Sequence, residues 1–234
     1  MFIGACIYFL PFSMGYSVQI DVVSDVVCPW CYIGKKRLEK ALQILPSALE
    51  IKVQWHPFQL DPTIPDEGLE RQAYFEAKFG GEARVQEAFE RVRAAGREEG
   101  ISFRFDRIPY AINTFKLHKL LHIASQEGVG AEAHELLFDA YFVQGIDLRI
   151  SDTLAALFAP FGWDSAKVER ILADESIGYA VRQAMQYYPN RGVSSVPFFV
   201  INTAYGIPGA QPAELLAKSI LDLHGQAVSD TSVS

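Results

Sequence analysis

Residues 18–34 read VQIDVVSDVVCPWCYIG, and the organisation of the whole chain follows from this stretch. Val18, Ile20 and Val22 alternate with Gln19 and Asp21, which is the two-residue period of a strand. Pro29 suits the first position of a helix, because its φ is already helical and the N–H it lacks would have had no partner there. Leu38, Leu42 and Leu45 then recur at helical spacing until Pro46 closes the segment. A strand therefore runs into a helix, and Cys28 and Cys31 sit at the join.

Two cysteines separated by two residues, the second one turn into a helix, can form a local disulfide that opens without unfolding the chain. Cys28 would lie at the helix N-terminus, where unpaired N–H groups and the positive end of the helix dipole favour a thiolate. Cys28 is thus the expected nucleophile. Cys31, deeper in the helix, would attack the mixed disulfide that results and act as the resolving thiol. Two other readings of the pair are half of a zinc site and two inert core cysteines. No His pair follows at the spacing a zinc site uses, and the proline start and preceding strand fit redox chemistry better. No metal is expected.

Outward from the motif, Ile51, Val53 and Trp55 alternate with Lys52 and Gln54, which predicts a second strand ending near Pro57. From Pro62 to Pro189 the apolar period becomes helical, for example Leu117, Leu120, Leu121 and Ala124, with glycine and proline interruptions. Strand character returns at Val196 and at Phe198 to Ile201, followed by a short strand at Tyr205 to Ile207. Pro212 opens a last helix carrying Leu216, Ile220 and Leu223, and a polar tail from Gln226 is expected to be disordered. The order is β-α-β, a helical block, then β-β-α.

The chain has 234 residues, half of them hydrophobic, enough for a substantial core. A net charge of -7 disfavours a nucleic-acid partner, since such surfaces need clustered cations. Three cysteines are too few for the disulfide framework of a small secreted domain. Residues 1–14 are apolar and uncharged but shorter than the roughly 20 residues of a membrane span, so no stable span is expected. Residues 1–15 are expected to be an extension, with translation from Met14 as one explanation and a signal peptide as another. The cytosol is the expected compartment, and export the alternative if that stretch is a signal.

Cys28-Pro29-Trp30-Cys31-Tyr32-Ile33-Gly34 after Ser24-Asp25, His56-Pro57-Phe58, the segment from Asn113-Thr114 to His118, Val196-Pro197-Phe198 and Gly209-Ala210-Gln211 occur in this order. Together they resemble the FrnE-type branch of the DsbA-like thiol-disulfide oxidoreductases, over nearly all of Val18 to Leu223. The resemblance implies an α/β thioredoxin-like fold with a helical domain inserted between the second and third strands. The thioredoxin-like part would comprise residues 16–62 and 190–225, the insertion 63–189, and the tail 226–234. It also implies a cis Val196–Pro197 bond facing the dithiol, with Val196 and Pro197, like Pro29 and Trp30, supporting the active site. Protein or peptide thiols would be the partners, and no tightly bound cofactor is needed. Glutathione or another thiol couple is a candidate co-substrate, and a thioredoxin-type protein a candidate redox partner. The same superfamily contains kappa-class glutathione transferases and 2-hydroxychromene-2-carboxylate isomerases, which resemble the chain in architecture but typically lack the paired cysteines. A glutathione-dependent isomerase or transferase is therefore the alternative enzyme, and a metal-binding or chaperone-like module the alternative outside catalysis.

Trp30 carries no charge, unlike the His that makes some members strongly oxidising, so the potential of the couple is left open. Asp25 reads as solvent-facing or as a local cap. Asn113 and His118 are candidate substrate contacts at the mouth of the thiol site, and His118 shares a helix face with His122 in the manner of zinc ligands, without the Glu of a metalloprotease. Lys35, Lys36 and Arg37 read as a solvated face, with lowering of a thiol pKa by proximity as the alternative. Phe58, Tyr110, Phe115 and Phe198 are candidates for an apolar groove.

Overall fold

A computed structural model describes residues 17–231. The predicted N-terminal extension, with Cys6 and the Met14 start, lies outside the described residues, as do residues 232–234.

Strand β1 (Ser17–Ser24) runs into helix α1 (Pro29–Ile44), which is followed by β2 (Glu50–Pro57). The chain then enters the helical block. Its first part holds β3 (Leu69–Glu70), α2 (Arg71–Phe79), α3 (Glu82–Glu98) and β4 (Tyr110–Ala111). Its second holds α4 (Phe115–Gln126), α5 (Gly130–Asp139), α6 (Ser151–Phe158), α7 (Ser165–Ala173) and α8 (Glu175–Tyr187). The chain returns to the sheet through β5 (Phe198–Ile201) and β6 (Tyr205–Pro208) and ends in α9 (Ala213–Thr231). The fold is a thioredoxin-like α/β sheet with helices inserted between its second and third strands.

Two details differ from the sequence expectation. β3 and β4 pair antiparallel inside the block, a two-residue ladder too short to carry a period. Helix α9 continues to Thr231 where a disordered tail was expected from Gln226. No proline follows Pro212, and extending a helix that already exists costs far less than starting one.

The four-stranded sheet has the order β2-β1-β5-β6. β1 pairs parallel with β2 on one side and antiparallel with β5 on the other. One face is covered by α1 and α9: Val18, Ile20 and Val22 meet Leu38 and Ala41 of α1 and Leu216 and Ile220 of α9. On the opposite face Val23 and Val200 pack with Tyr188 and Val193. Each Val, Leu or Ile side chain among them contributes about 1.5–3 kcal/mol when removed from water. Cover on both faces also buries Asp21, which lies 2.8 Å from His56 Nε2. Burial alone would raise the Asp21 pKa, but the bonds to His56 and Gln19 outweigh it and hold the carboxyl below its ordinary range.

Helix α1 is wedged between the sheet and the block, so its basic run is an interface rather than a solvated face. Lys35 is only 4% exposed and pairs with Glu39 and, at 2.8 Å, with Glu135 of α5. Lys36 reaches Glu135 at 2.6 Å. Arg37 pairs with Glu99, beyond the end of α3, at 2.6 Å and donates to the Ala210 carbonyl at 2.7 Å. The Gly209-Ala210-Gln211 segment is thereby tied to the cysteine helix. On α5 the buried His134 stacks on Trp55 of β2 at 4.3 Å, and its Nδ1 lies 2.7 Å from the Gly130 carbonyl.

Burial lowers the His134 pKa from 6.5 to about 3. The unfolded chain therefore binds one more proton than the fold once pH drops below 6.5, so this part of the stability is complete above that value and lost on acidification. Urea unfolding between about pH 6 and 5 is expected to show a loss of about 1.4 kcal/mol per pH unit from this group. His134→Leu should flatten that slope; an unchanged slope would show that His134 is not its source.

Candidate active site

β1 ends at Ser24, and the turn that follows closes when the Cys28 N–H donates to the Asp25 carbonyl at 3.1 Å. Cys28 is the N-cap of α1, with an extended backbone at φ -94 and ψ 107, and Pro29 begins the helix. The Cys28 carbonyl accepts from the Cys31 N–H at 2.9 Å. Both cysteines are free thiols and both are buried, but their surroundings differ. Cys28 faces a cavity of about 490 Å³, while Cys31 does not line it. Pro29, Trp30 and Val196 line the same cavity, and Trp30 is 38% exposed.

The Cys28 thiol donates to the Val196 carbonyl at 3.5 Å. The Val196–Pro197 peptide is cis, and the Pro197 carbonyl accepts from Gly209 N–H at 2.9 Å. A Cβ at Gly34 would lie 3.0 Å from the Pro197 ring and 3.4 Å from Phe199, so the glycine in the cysteine helix is what lets that helix approach the Val196–Pro197 turn. Burial pushes the Cys31 pKa well up, and the neighbouring Cys28 adds to the rise. The Asp25 N–H and the Ser24 hydroxyl oppose it without cancelling it. Cys31 therefore holds its proton more firmly than an exposed thiol would.

Asp25 is fully buried rather than solvent-facing. Its carboxylate accepts from the Leu60 N–H at 2.8 Å and lies 3.3 Å from His118 Nε2. The physical reason is the insertion: α4 crosses the end of β1 and brings His118, itself 2% exposed, against Asp25. Asn113, just before α4, accepts from Gln59 at 2.7 Å and from the Phe115 N–H at 2.9 Å, and donates to the Ile64 carbonyl at 2.6 Å. Neither Asn113 nor His118 lines the cavity. Among the described residues no group of three His, Cys, Asp or Glu side chains could hold a metal ion.

The aromatic wall of the cavity differs from the sequence expectation. Phe58, Tyr110, Phe115 and Phe198 do not line it; Phe75, Phe89, Phe105, Tyr141 and Phe142 do. These come from α2, α3 and two short turns, the second of them a π-helical turn at Ala140–Gln144. The signal was an aromatic-rich run from Tyr74 to Phe105, whose direction could not be read before α2 and α3 were folded across the cysteine motif.

The model of the DSBA-like thioredoxin domain matches residues 19–221. The chain belongs to this family. A probable DsbA oxidoreductase of Streptomyces coelicolor is similar in structure, with a TM-score of 0.82 and 31% identity over 89% of this chain and 90% of that one. The uncharacterized protein YwbO of Bacillus subtilis is 27% identical over 88% of this chain and 97% of its own length. A 2-hydroxychromene-2-carboxylate isomerase shares the fold, with a TM-score of 0.69 and 16% identity, covering 90% of this chain and 98% of its own. Among the described residues no helix is long and apolar enough to cross a membrane.

In this DsbA-like chain Gly34→Val would press two methyl groups against Pro197 and Phe199. The variant is expected to lose about 1–3 kcal/mol in thermal or urea unfolding. Wild-type stability in the variant would show that the turn yields freely.

Proposed function

We propose that the chain is a thiol-disulfide oxidoreductase that exchanges its Cys28/Cys31 couple with protein or peptide thiols. The observation that carries this is the unequal setting of the two sulfurs. Cys28 opens on the cavity at the start of α1, and Cys31 lies behind it, buried and held protonated.

When the couple acts as an oxidant, a substrate thiolate attacks the Cys28 sulfur, the Cys28–Cys31 bond breaks, and Cys31 leaves and takes up a proton. A second substrate thiolate then attacks the substrate sulfur of the mixed disulfide and expels Cys28. Two electrons enter the couple and the substrate leaves as a disulfide. In the opposite direction the Cys28 thiolate attacks a substrate disulfide and Cys31, losing its proton, resolves the intermediate. The raised pKa of Cys31 keeps the proton on the inner sulfur of the reduced couple, and only Cys28 faces the cavity, so a substrate meets Cys28 first. The Val196 carbonyl, already an acceptor for the Cys28 thiol, faces the place where an extended substrate would present an N–H. Glutathione or a thioredoxin-type protein would return the couple to its starting state.

With a peptide dithiol reporter, Cys31→Ser is expected to abolish turnover, and offered a peptide disulfide it should accumulate a mixed disulfide at Cys28 that mass spectrometry detects. Cys28→Ser should lose turnover and capture alike. Equal turnover by wild type and Cys31→Ser would sink the resolving role. A glutathione-dependent isomerase would instead tolerate Cys31→Ser and stop when glutathione is withheld.

A further inference from the structure

The cavity beside Cys28 contains a cation that nothing in the exchange reaction uses. Arg71, the first residue of α2, holds its guanidinium over the rings of Phe89, Phe75 and Phe105 at 4.5, 5.0 and 5.3 Å. No carboxylate among the described residues forms an ion pair with it. Glu70, next to it in sequence, already accepts from the N–H groups of Gln72 and Ala73 at 2.9 and 2.7 Å. Burial holds the Arg71 pKa below its ordinary value, the mark of a charge in costly surroundings. Cation–π contact offsets part of that cost but leaves all five N–H donors without an anion.

The rest of the lining points the same way. Lys78 and Arg91 add two more cations, while the two carboxylates, Asp25 and Asp61, are engaged, the latter by Thr63 and Tyr74. An unpaired guanidinium in the wall of a cavity marks a place for a ligand with acceptor oxygens.

We propose that this cavity binds an aromatic carboxylate, its ring among Phe75, Phe89 and Phe105 and its acid group on Arg71, beside Cys28. A planar guanidinium matches a carboxylate in a bidentate pair, and one negative charge balances one partly desolvated cation. The phenyl walls select a flat ring by offset or edge contact. The volume, about 490 Å³, falls in the range of small-molecule sites. Binding here does not depend on thiol exchange, so it is tested on the oxidised protein, where failure of one leaves the other decided.

Calorimetry with 2-naphthoate and its neutral isostere 2-naphthamide is expected to show the acid bound about tenfold tighter. Arg71→Gln should bring the acid down to the affinity of the amide and leave the amide unchanged, and Arg71→Lys should keep part of the preference. In the reduced wild type, 2-naphthoate should slow alkylation of Cys28 by iodoacetamide. Equal affinities in the wild type, no binding of either compound, a preference that survives Arg71→Gln, or no protection of Cys28 would each overturn the proposal.

Discussion

The structure depends on β1 being hydrogen-bonded on both sides and covered on both faces. Pairing with β2 and β5 fixes its direction, and the cover from α1 and α9 on one side and the Tyr188 region on the other fixes its depth. The turn after Ser24 then has one place to go, and Cys28 emerges at the end of the strand where α1 begins. A cysteine pair at that point has the sheet behind it and a helix N-terminus beneath the outer sulfur. Its geometry is inherited from the most deeply buried strand of the molecule rather than from the motif itself.

The same cover creates polar groups that must be satisfied. Asp21 has His56, Asp25 has the Leu60 N–H and His118, and Lys35 has Glu39 and Glu135. All but Lys35–Glu39, which lies within α1, join parts distant in sequence. Losing one partner would leave a buried charge, which costs more than the pair itself contributes. The ion pairs of α1 with Glu99 and Glu135 thus specify how the helical block sits on the sheet. Arg71 stands apart from this pattern, and it does so in the wall of the cavity.

What could be read from the sequence was whatever local spacing carries. Val18, Ile20 and Val22 marked β1, Pro29 and Leu38 marked α1, and the apolar run from Phe198 marked β5. The cysteine pair at the strand–helix join needed no knowledge of the rest. Asp25 was misread because its burial is caused by α4, which the chain reaches only much later, and a carboxylate in isolation reads as a surface group. Lys35 to Arg37 were misread for the same reason, since their partners belong to α5 and to the end of α3. The wall aromatics were visible as apolar positions, but an apolar helix face does not announce whether it meets a core or a cavity.

These failures share a cause that also divides the labour of the site. The dithiol, the helix start and the Val196–Pro197 turn all belong to the sheet half. The cavity in front of Cys28 is built mainly by α2, α3 and the turns around Phe105 and Tyr141, all from the insertion. The same residues also reach α1, since Phe89, Phe105 and Phe142 share one packed cluster with Cys31, Tyr32 and Ile33, so the wall of the cavity and the seat of the cysteine helix are one core. The sheet half therefore places Cys28 at the end of β1, and the insertion shapes the cavity that Cys28 faces.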